Sequence, residues 1–211
     1  MKTDDLIARL SVAPATPPIN PSRMAALIGT AIVVPLVIFL GTVGLRPQIG
    51  MAWANPVVPF KTFLPLGICL LSGALLLRLA RPETVLGRIP LLYLVPGGIA
   101  AALWIGAFLL RAPDARFAEV RLLTVAECLG IIPVLSIIPT IATLRVLRQG
   151  ASTSPALSAM LAGLAAASGA ATGYSLFCTQ DNPLFFVTWY GVAILTVTVI
   201  ATRFGRRVLS W

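Results

Sequence analysis

Three cysteines are the residues of this chain best suited to chemistry, because the sequence contains no histidine. Histidine is the commonest general base and the commonest metal ligand, so most mechanisms that depend on either are removed. The cysteines, Cys69, Cys128 and Cys178, are far apart along the chain and form no CxxC pair. Thiol chemistry therefore requires a fold that brings two of them together.

Cys128 and Cys178 are predicted to lie near the same surface of a membrane. Cys128 falls about two turns inside one apolar stretch, and Cys178 follows the end of the next. Two neighbouring thiols there could close a disulfide or bind a soft heavy-metal ion transiently. The alternative is that each is a small apolar side chain that fills space, which is how we interpret Cys69 in the middle of its stretch.

Glu127 directly precedes Cys128. A carboxylate inside a membrane span is costly and often functional, so Glu127 is a candidate to bind a metal ion or a proton beside the thiol. The alternative, which we favour, is interfacial exposure or an ion pair with Lys61 or Arg121. Lys61 lies close enough to the end of its stretch for the ammonium group to reach water.

The segment 177–190, FCTQDNPLFFVTWY, is the densest group of unusual residues. The Asp-Asn-Pro sequence at 181–183 predicts a tight turn. The aromatic residues after it predict an anchoring belt at the outer interface: Phe185, Phe186, Trp189 and Tyr190. Their position beside Cys178 also allows a lid over the thiols.

Six apolar stretches of the chain contain or flank these residues. The chain is 58% hydrophobic and only 11% charged, whereas soluble domains are about 25% charged. A membrane-spanning helix needs about 20 apolar residues. The sequence therefore predicts an all-α fold, a polytopic bundle in residues 24–211 whose six transmembrane helices cover 24–44, 57–80, 89–110, 122–144, 155–177 and 184–202.

The distribution of positive charge predicts the orientation of these helices. With both termini in the cytoplasm, most of the 16 basic residues lie inside, as cytoplasmic loops usually require. Five basic residues lie outside: Arg46, Lys61, Arg111, Arg116 and Arg121. This bias also explains the net charge of +9 without direct binding to nucleic acid. In a bacterial inner membrane, the thiols would then face the oxidising periplasm.

Residues 1–23 are the only sizeable polar part of the chain. The start, MKTDDLIARL, predicts a short amphipathic helix, followed by a proline-rich linker over 11–23. The features that suit it to binding a partner are a capping threonine, two acids and one apolar face, contributed by Thr3, Asp4, Asp5, Leu6, Ile7 and Leu10.

Two stripes of small residues predict close helix packing. One lies in the third apolar stretch and the other in the fifth: Gly98, Ala102 and Gly106, and Ala165, Gly169 and Gly173. We expect both to pack within one bundle and not between two copies of the chain.

Three features together resemble a known family. They are the start MKTDDLIARL with its linker, Cys128 in the fourth stretch, and FCTQDNPLFFVTWY leading to the basic end RFGRRVLSW. The chain resembles the NrsF-type family of bacterial inner-membrane proteins, negative regulators of an extracytoplasmic-function sigma factor. The resemblance covers the whole chain in the number and order of its spans.

The resemblance implies a membrane-bound anti-sigma factor that releases its sigma factor upon metal or oxidative stress. The family's paired cysteines would correspond to Cys128 and Cys178, and its cytoplasmic start to the acidic and apolar residues of 3–10. Family members often carry a histidine where Phe177 stands, so this chain would sense a different signal or bind metal more weakly.

Two other functions fit an apolar bundle. A small transporter or metal permease is the main alternative, but such proteins often show paired midplane charges or internal repeats, which this sequence lacks. A membrane thiol oxidoreductase usually requires a second cysteine pair or a quinone site. We therefore predict a regulator and not an enzyme, with no permanent cofactor and with a sigma factor and membrane lipid as partners. The sequence does not specify the oligomeric state.

Overall fold

The computed structural model describes residues 20–80, 87–118, 120–148 and 154–209, together with Thr3. These residues form helices and loops and contain no strand. The helices are α1 (Pro21–Val43), α2 (Ile49–Trp53), α3 (Val58–Leu79), a 3₁₀ turn (Ile89–Tyr93) continuous with α4 (Leu94–Leu110), α5 (Leu122–Leu147), α6 (Pro155–Ser175) and α7 (Pro183–Leu209). Six of these segments are long and apolar enough to cross a membrane, which confirms the predicted all-α class.

Capping residues fix where the first and last helices begin. The side chain of Asn20 accepts hydrogen bonds from the main-chain N–H groups of Ser22 and Arg23, and Pro21 occupies the first helical position. Asn182 does the same for α7, where its side chain accepts from the N–H of Leu184 at 3.1 Å. These caps satisfy donors that a helix start leaves unpaired. Helix α1 consequently begins three residues before the predicted Met24.

Helix α7 extends beyond its predicted end near Thr202 and finishes at Leu209. The added turns contain Arg203, Arg206 and Arg207. Arginine is a good helix former, and positive charge is favourable at a helix C-terminus. The helix therefore continues past the apolar stretch that defines the predicted span.

Helix α6 lies at the centre of the bundle and packs against α1, α3, α5 and α7. Its small residues allow this approach. A methyl group added at Gly163 would lie 2.5 Å from the Cβ of Ala201 on α7, and one added at Gly169 would lie 2.6 Å from Ile32 on α1. The stripe of the fifth stretch thus packs inside the bundle.

Helix α4 lies at the edge of the bundle, and the prediction for its stripe is wrong. None of its residues is buried, and nothing lies within 4 Å of a methyl group added at Gly98 or Gly106. The helix instead contacts α7 through larger side chains, as in the hydrogen bond from Trp104 Nε1 to Thr188 Oγ1 at 3.1 Å. Small residues permit close packing but do not require it.

Three loops meet at one end of the bundle. The N–H of Arg46, after α1, donates to the carbonyl of Leu176, after α6, at 3.0 Å. The side-chain amide of Asn182 donates to the carbonyl of Arg116, between α4 and α5, at 2.9 Å. These bonds hold the segment that connects α6 to α7, residues 176–182, against the other two loops.

Candidate functional site: a buried thiol pair beside a cation cluster

Cys128 and Cys178 lie together at this end of the bundle. Cys128, on α5, has no exposed surface, and Cys178, in the 176–182 segment, is 3% exposed. Both cysteines belong to the same buried core, and both are free thiols. The fold therefore unites the two sequence-distant cysteines, whereas Cys69 lies separately on α3, against α6.

Tyr174, in the last turn of α6, connects the two cysteines. Its hydroxyl accepts a hydrogen bond from the Cys128 thiol at 3.4 Å, and its main-chain carbonyl accepts one from the N–H of Cys178 at 3.0 Å. The ring of Tyr190 packs beside that of Tyr174, with centroids 5.7 Å apart. We call Cys128, Tyr174 and Cys178 the thiol site.

Two cations and one carboxylate adjoin the thiol site. Arg46 makes a two-pronged contact with Asp181, at 2.6 and 2.9 Å. The Lys61 ammonium donates to the carbonyl of Cys178 at 2.6 Å and to Asp181 at 3.3 Å. We call Arg46, Lys61 and Asp181 the cation cluster. Removing one member of a buried ion pair destabilises a protein, because the other charge is left without its partner.

Lys61 is 1% exposed, so the prediction that it reaches water at the helix end is wrong. Asp181 neutralises the ammonium group of Lys61, and Asp181 and the Cys178 carbonyl accept its hydrogen bonds. Lys61 can therefore be buried. The predicted ion pair between Lys61 and Glu127 is also absent from the described structure, because Lys61 pairs with Asp181.

The environment lowers the pKa of the Cys178 thiol below its ordinary value. The main cause is the hydrogen bond with Cys128, and burial opposes it. The positive charge of Lys61 and the N–H of Gln180 act in the same direction as Cys128. A thiolate is the reactive form of cysteine, so Cys178 is the more reactive member of the pair.

Glu127 does not complete a metal site with the thiols. It is half-buried on α5, and the described part of the chain contains no group of three or more cysteine, aspartate or glutamate side chains placed to hold a metal ion. The donors that could bind a soft ion are therefore the two cysteine sulfurs, beside the Tyr174 hydroxyl.

The prediction of an aromatic belt is wrong for three of its four residues. Phe185, Phe186 and Tyr190 are at most 4% exposed and belong to the same core as both cysteines. Trp189 is only partly buried. These three buried residues therefore pack around the thiol site and do not line the lipid interface.

Most residues of the predicted partner-binding start lie outside the described residues. Thr3 is exposed in a helical conformation. The other members of the set lie beyond the described part of the chain: Asp4, Asp5, Leu6, Ile7 and Leu10.

Sequence reasoning missed Arg46, Asp181 and Tyr174. The sequence places Arg46 and Asp181 in loops, and no pattern in it singles out Tyr174. One signal was present: Arg46, Lys61 and Asp181 all follow or precede spans at the same predicted surface, where opposite charges would attract.

Comparison with known proteins decides the family. A family model described as negative regulator of sigma F matches residues 10–211. The chain belongs to the NrsF family. It is 31% identical over 217 residues to the anti-sigma-F factor NrsF of Caulobacter vibrioides (strain NA1000 / CB15N), and each chain is covered completely. It is 29% identical over 219 residues to the probable anti-sigma-F factor NrsF of Azospira oryzae (strain ATCC BAA-33 / DSM 13638 / PS), again over both full lengths. No solved structure matches the chain.

Membership of the NrsF family confirms the predicted anti-sigma factor. The role is regulatory and not enzymatic, and an anti-sigma factor implies a sigma factor as partner. The family assignment favours this function over the transporter and oxidoreductase alternatives.

Proposed function

We propose that this chain holds an extracytoplasmic-function sigma factor inactive at the bacterial inner membrane and releases it upon a metal or oxidative signal. The polar start, in the cytoplasm, binds the sigma factor, and the thiol site faces the periplasm. Family membership supports the anti-sigma role, and the six long apolar helices support the membrane location. The excess of arginine at the opposite end of the bundle supports the orientation.

The observation that carries the sensing role is that the fold buries the thiols of Cys128 and Cys178 in one core, where Tyr174 binds both residues. An oxidant such as hydrogen peroxide would take two electrons and two protons from the pair, which forms one S–S bond and two molecules of water. A soft divalent ion would instead bind both sulfurs and displace two protons. Disulfide formation draws the two sulfurs to about 2.05 Å, and a bound ion fixes both sulfurs to one centre.

The cation cluster connects Cys178 to α1 and α3. The Cys178 carbonyl is held by Lys61 from α3 and, at 3.4 Å, by Arg46 from the loop after α1. A shift of Cys178 toward Cys128 therefore strains contacts with α1 and α3. Helix α1 begins with Pro21 at the other end of the bundle, and the polar start directly precedes this helix in the sequence. The protein would thus exchange between a state that binds the sigma factor and one that releases it.

Deletion of residues 1–10 tests the partner-binding part. We expect transcription from sigma-dependent promoters to rise without any inducer, because the sigma factor is no longer held. The matched control, Arg9→Gln, changes a residue outside the proposed binding set, keeps the length and the apolar face, and should leave transcription unchanged. Unchanged transcription after the deletion, with the protein still present in the membrane, would count against the tail as the docking segment.

Serine at either thiol tests the sensing part. Cys128→Ser and Cys178→Ser should each abolish the transcriptional response to cadmium ions and to peroxide, because each removes one of two required sulfurs. Cys69→Ser is the control and should respond like the wild type. A full response in both single variants would remove the thiol pair from the mechanism.

A further inference from the structure

An apolar groove lies on the surface of the bundle between α5 and α7, away from the thiol site. Its volume is about 450 Å³. The residues that define its length are Pro133, Ile137 and Leu144 on α5 and Val197, Ile200 and Phe204 on α7. Ile137, Ile200 and Phe204 are each more than half exposed at its rim. In a membrane, this groove faces lipid.

The length of the groove identifies the kind of molecule that fits it. Pro133 and Leu144 are separated by roughly 16 Å along α5, about half of the ~30 Å hydrocarbon thickness. Toward the thiol site, α5 and α7 close together around the buried Cys128, Ile132 and Tyr190. A spanning helix of a partner needs a groove along the whole thickness, whereas an acyl chain of one leaflet needs half.

Positive charge stands at the open end of the groove. Arg148 lies four residues beyond Leu144 and eleven beyond Ile137, which places it on the groove face of α5. Arg207 lies three residues beyond Phe204 and seven beyond Ile200, which places it beside the groove on α7. Both arginines are exposed. A molecule with its apolar chain in the groove would therefore present its polar end to two guanidinium groups.

We infer that this groove is a binding site for an anionic phospholipid of the inner leaflet. One acyl chain lies between α5 and α7, and the headgroup phosphate lies against Arg148 and Arg207. Guanidinium groups suit phosphate oxygens because they donate paired hydrogen bonds, and basic pockets between helices on the cytoplasmic side suit anionic headgroups. The inference rests on the membrane location and orientation of the proposed function.

Native mass spectrometry of the full chain in detergent tests the site. Phosphatidylglycerol and phosphatidylcholine with identical acyl chains are the two probes. We expect the wild type to retain phosphatidylglycerol preferentially. Arg148→Gln should weaken this retention about fivefold, which corresponds to the roughly 1 kcal/mol that one arginine contributes near an anionic surface. The matched control, Arg88→Gln, removes the same charge at the start of the 3₁₀ turn and should not change it.

A second variant tests the groove itself. Ile200→Trp fills the space from its exposed rim and should reduce retention of both lipids, whereas Ile105→Trp, on the exposed face of α4, should not. Equal retention of the two lipids by the wild type would overturn the inference, as would unchanged retention in Ile200→Trp. A two-chain complex that Ile200→Trp dissociates would assign the groove to a second copy instead. Extraction of membranes with carbonate reports separately whether the chain is integral, so failure of the location is distinguishable from failure of the site.

Discussion

The ammonium nitrogen of Lys61 lies 2.6 Å from the main-chain carbonyl oxygen of Cys178. A buried cation on α3 thus holds the segment that carries one of the two thiols. The contact joins residues that are 117 positions apart. It makes the position of Cys178 dependent on α3, and the charge on Cys178 dependent on Lys61.

Replacement of Lys61 should lower both the stability of the fold and the fraction of Cys178 that is ionised. Lys61→Met is expected to lower the free energy of unfolding by about 2 kcal/mol, a typical contribution of hydrogen bonds to charged groups. The variant should also slow alkylation of Cys178 at neutral pH, because Lys61 helps the Cys128 hydrogen bond to lower the pKa of that thiol. Arg121→Met, an exposed charge at the start of α5, is the control. Equal alkylation rates in Lys61→Met and the wild type would contradict the electrostatic role.

Asp181 should be coupled energetically to Arg46. A double-mutant cycle with Asp181→Asn and Arg46→Gln is expected to give a coupling energy of about 1–3 kcal/mol, since the two side chains make a two-pronged contact. Asp114→Asn, in an exposed turn, should show no coupling with Arg46→Gln. Chemical denaturation in mild detergent measures each free energy. Additive effects at Arg46 and Asp181 would mean that the contact adds no stability.

The ionisation of Cys178 predicts a dependence of stability on pH. Its pKa in the folded protein lies below that of an ordinary thiol, which is about 8.5. The folded state therefore favours the thiolate, and this stabilisation is complete above pH ~8.5 and disappears as the pH falls through the lowered value. The difference in melting temperature between the wild type and Cys178→Ser should grow with rising pH. A difference that is constant across this range would refute the lowered pKa, and Cys69→Ser should behave like the wild type.

The close approach of α6 and α7 should tolerate no extra methyl group at Gly163. Gly163→Ala is expected to cost about 1–3 kcal/mol by overpacking, because its Cβ would meet the Cβ of Ala201 at 2.5 Å and the backbone of Thr198 at 3.2 Å. Adding Ala201→Gly should recover part of the loss. Gly98→Ala, in open space on α4, should be neutral or stabilising by about 0.5–1 kcal/mol. A stable Gly163→Ala variant would argue against this packing.

The number and type of the long helices could be predicted because they depend on local composition. Twenty apolar residues must form a helix in hydrocarbon, whatever surrounds them. The ends of the helices are harder to predict, since they depend on individual caps and polar extensions. Asn20 caps α1 at Pro21, and α7 continues through the arginines after Thr202. The meeting of Cys128 and Cys178 followed from the order of the spans, because antiparallel neighbours bring distant residues to one surface.

The partners of individual side chains could not be predicted from the sequence in the same way. Lys61 lies near the end of an apolar stretch, and its burial depends on Asp181, which is 120 residues away. Tyrosine is common at membrane interfaces, but Tyr190 is buried and its ring packs beside that of Tyr174. The stripe of α4 has the spacing of a packing face, but the arrangement of the other helices leaves it open. Each error concerns which surfaces meet, and local patterns do not contain that information.

The proposed control of sigma-factor release by the Cys128–Cys178 pair can be tested in cells. The most direct measurement is the amount of sigma factor that co-purifies with the tagged chain from membranes, before and after exposure of cells to peroxide or cadmium ions. We expect the wild type and Cys69→Ser to lose the bound sigma factor after exposure, and Cys128→Ser/Cys178→Ser to retain it. Loss of the sigma factor from the double variant to the same extent as from the wild type would show that the two thiols do not control its release.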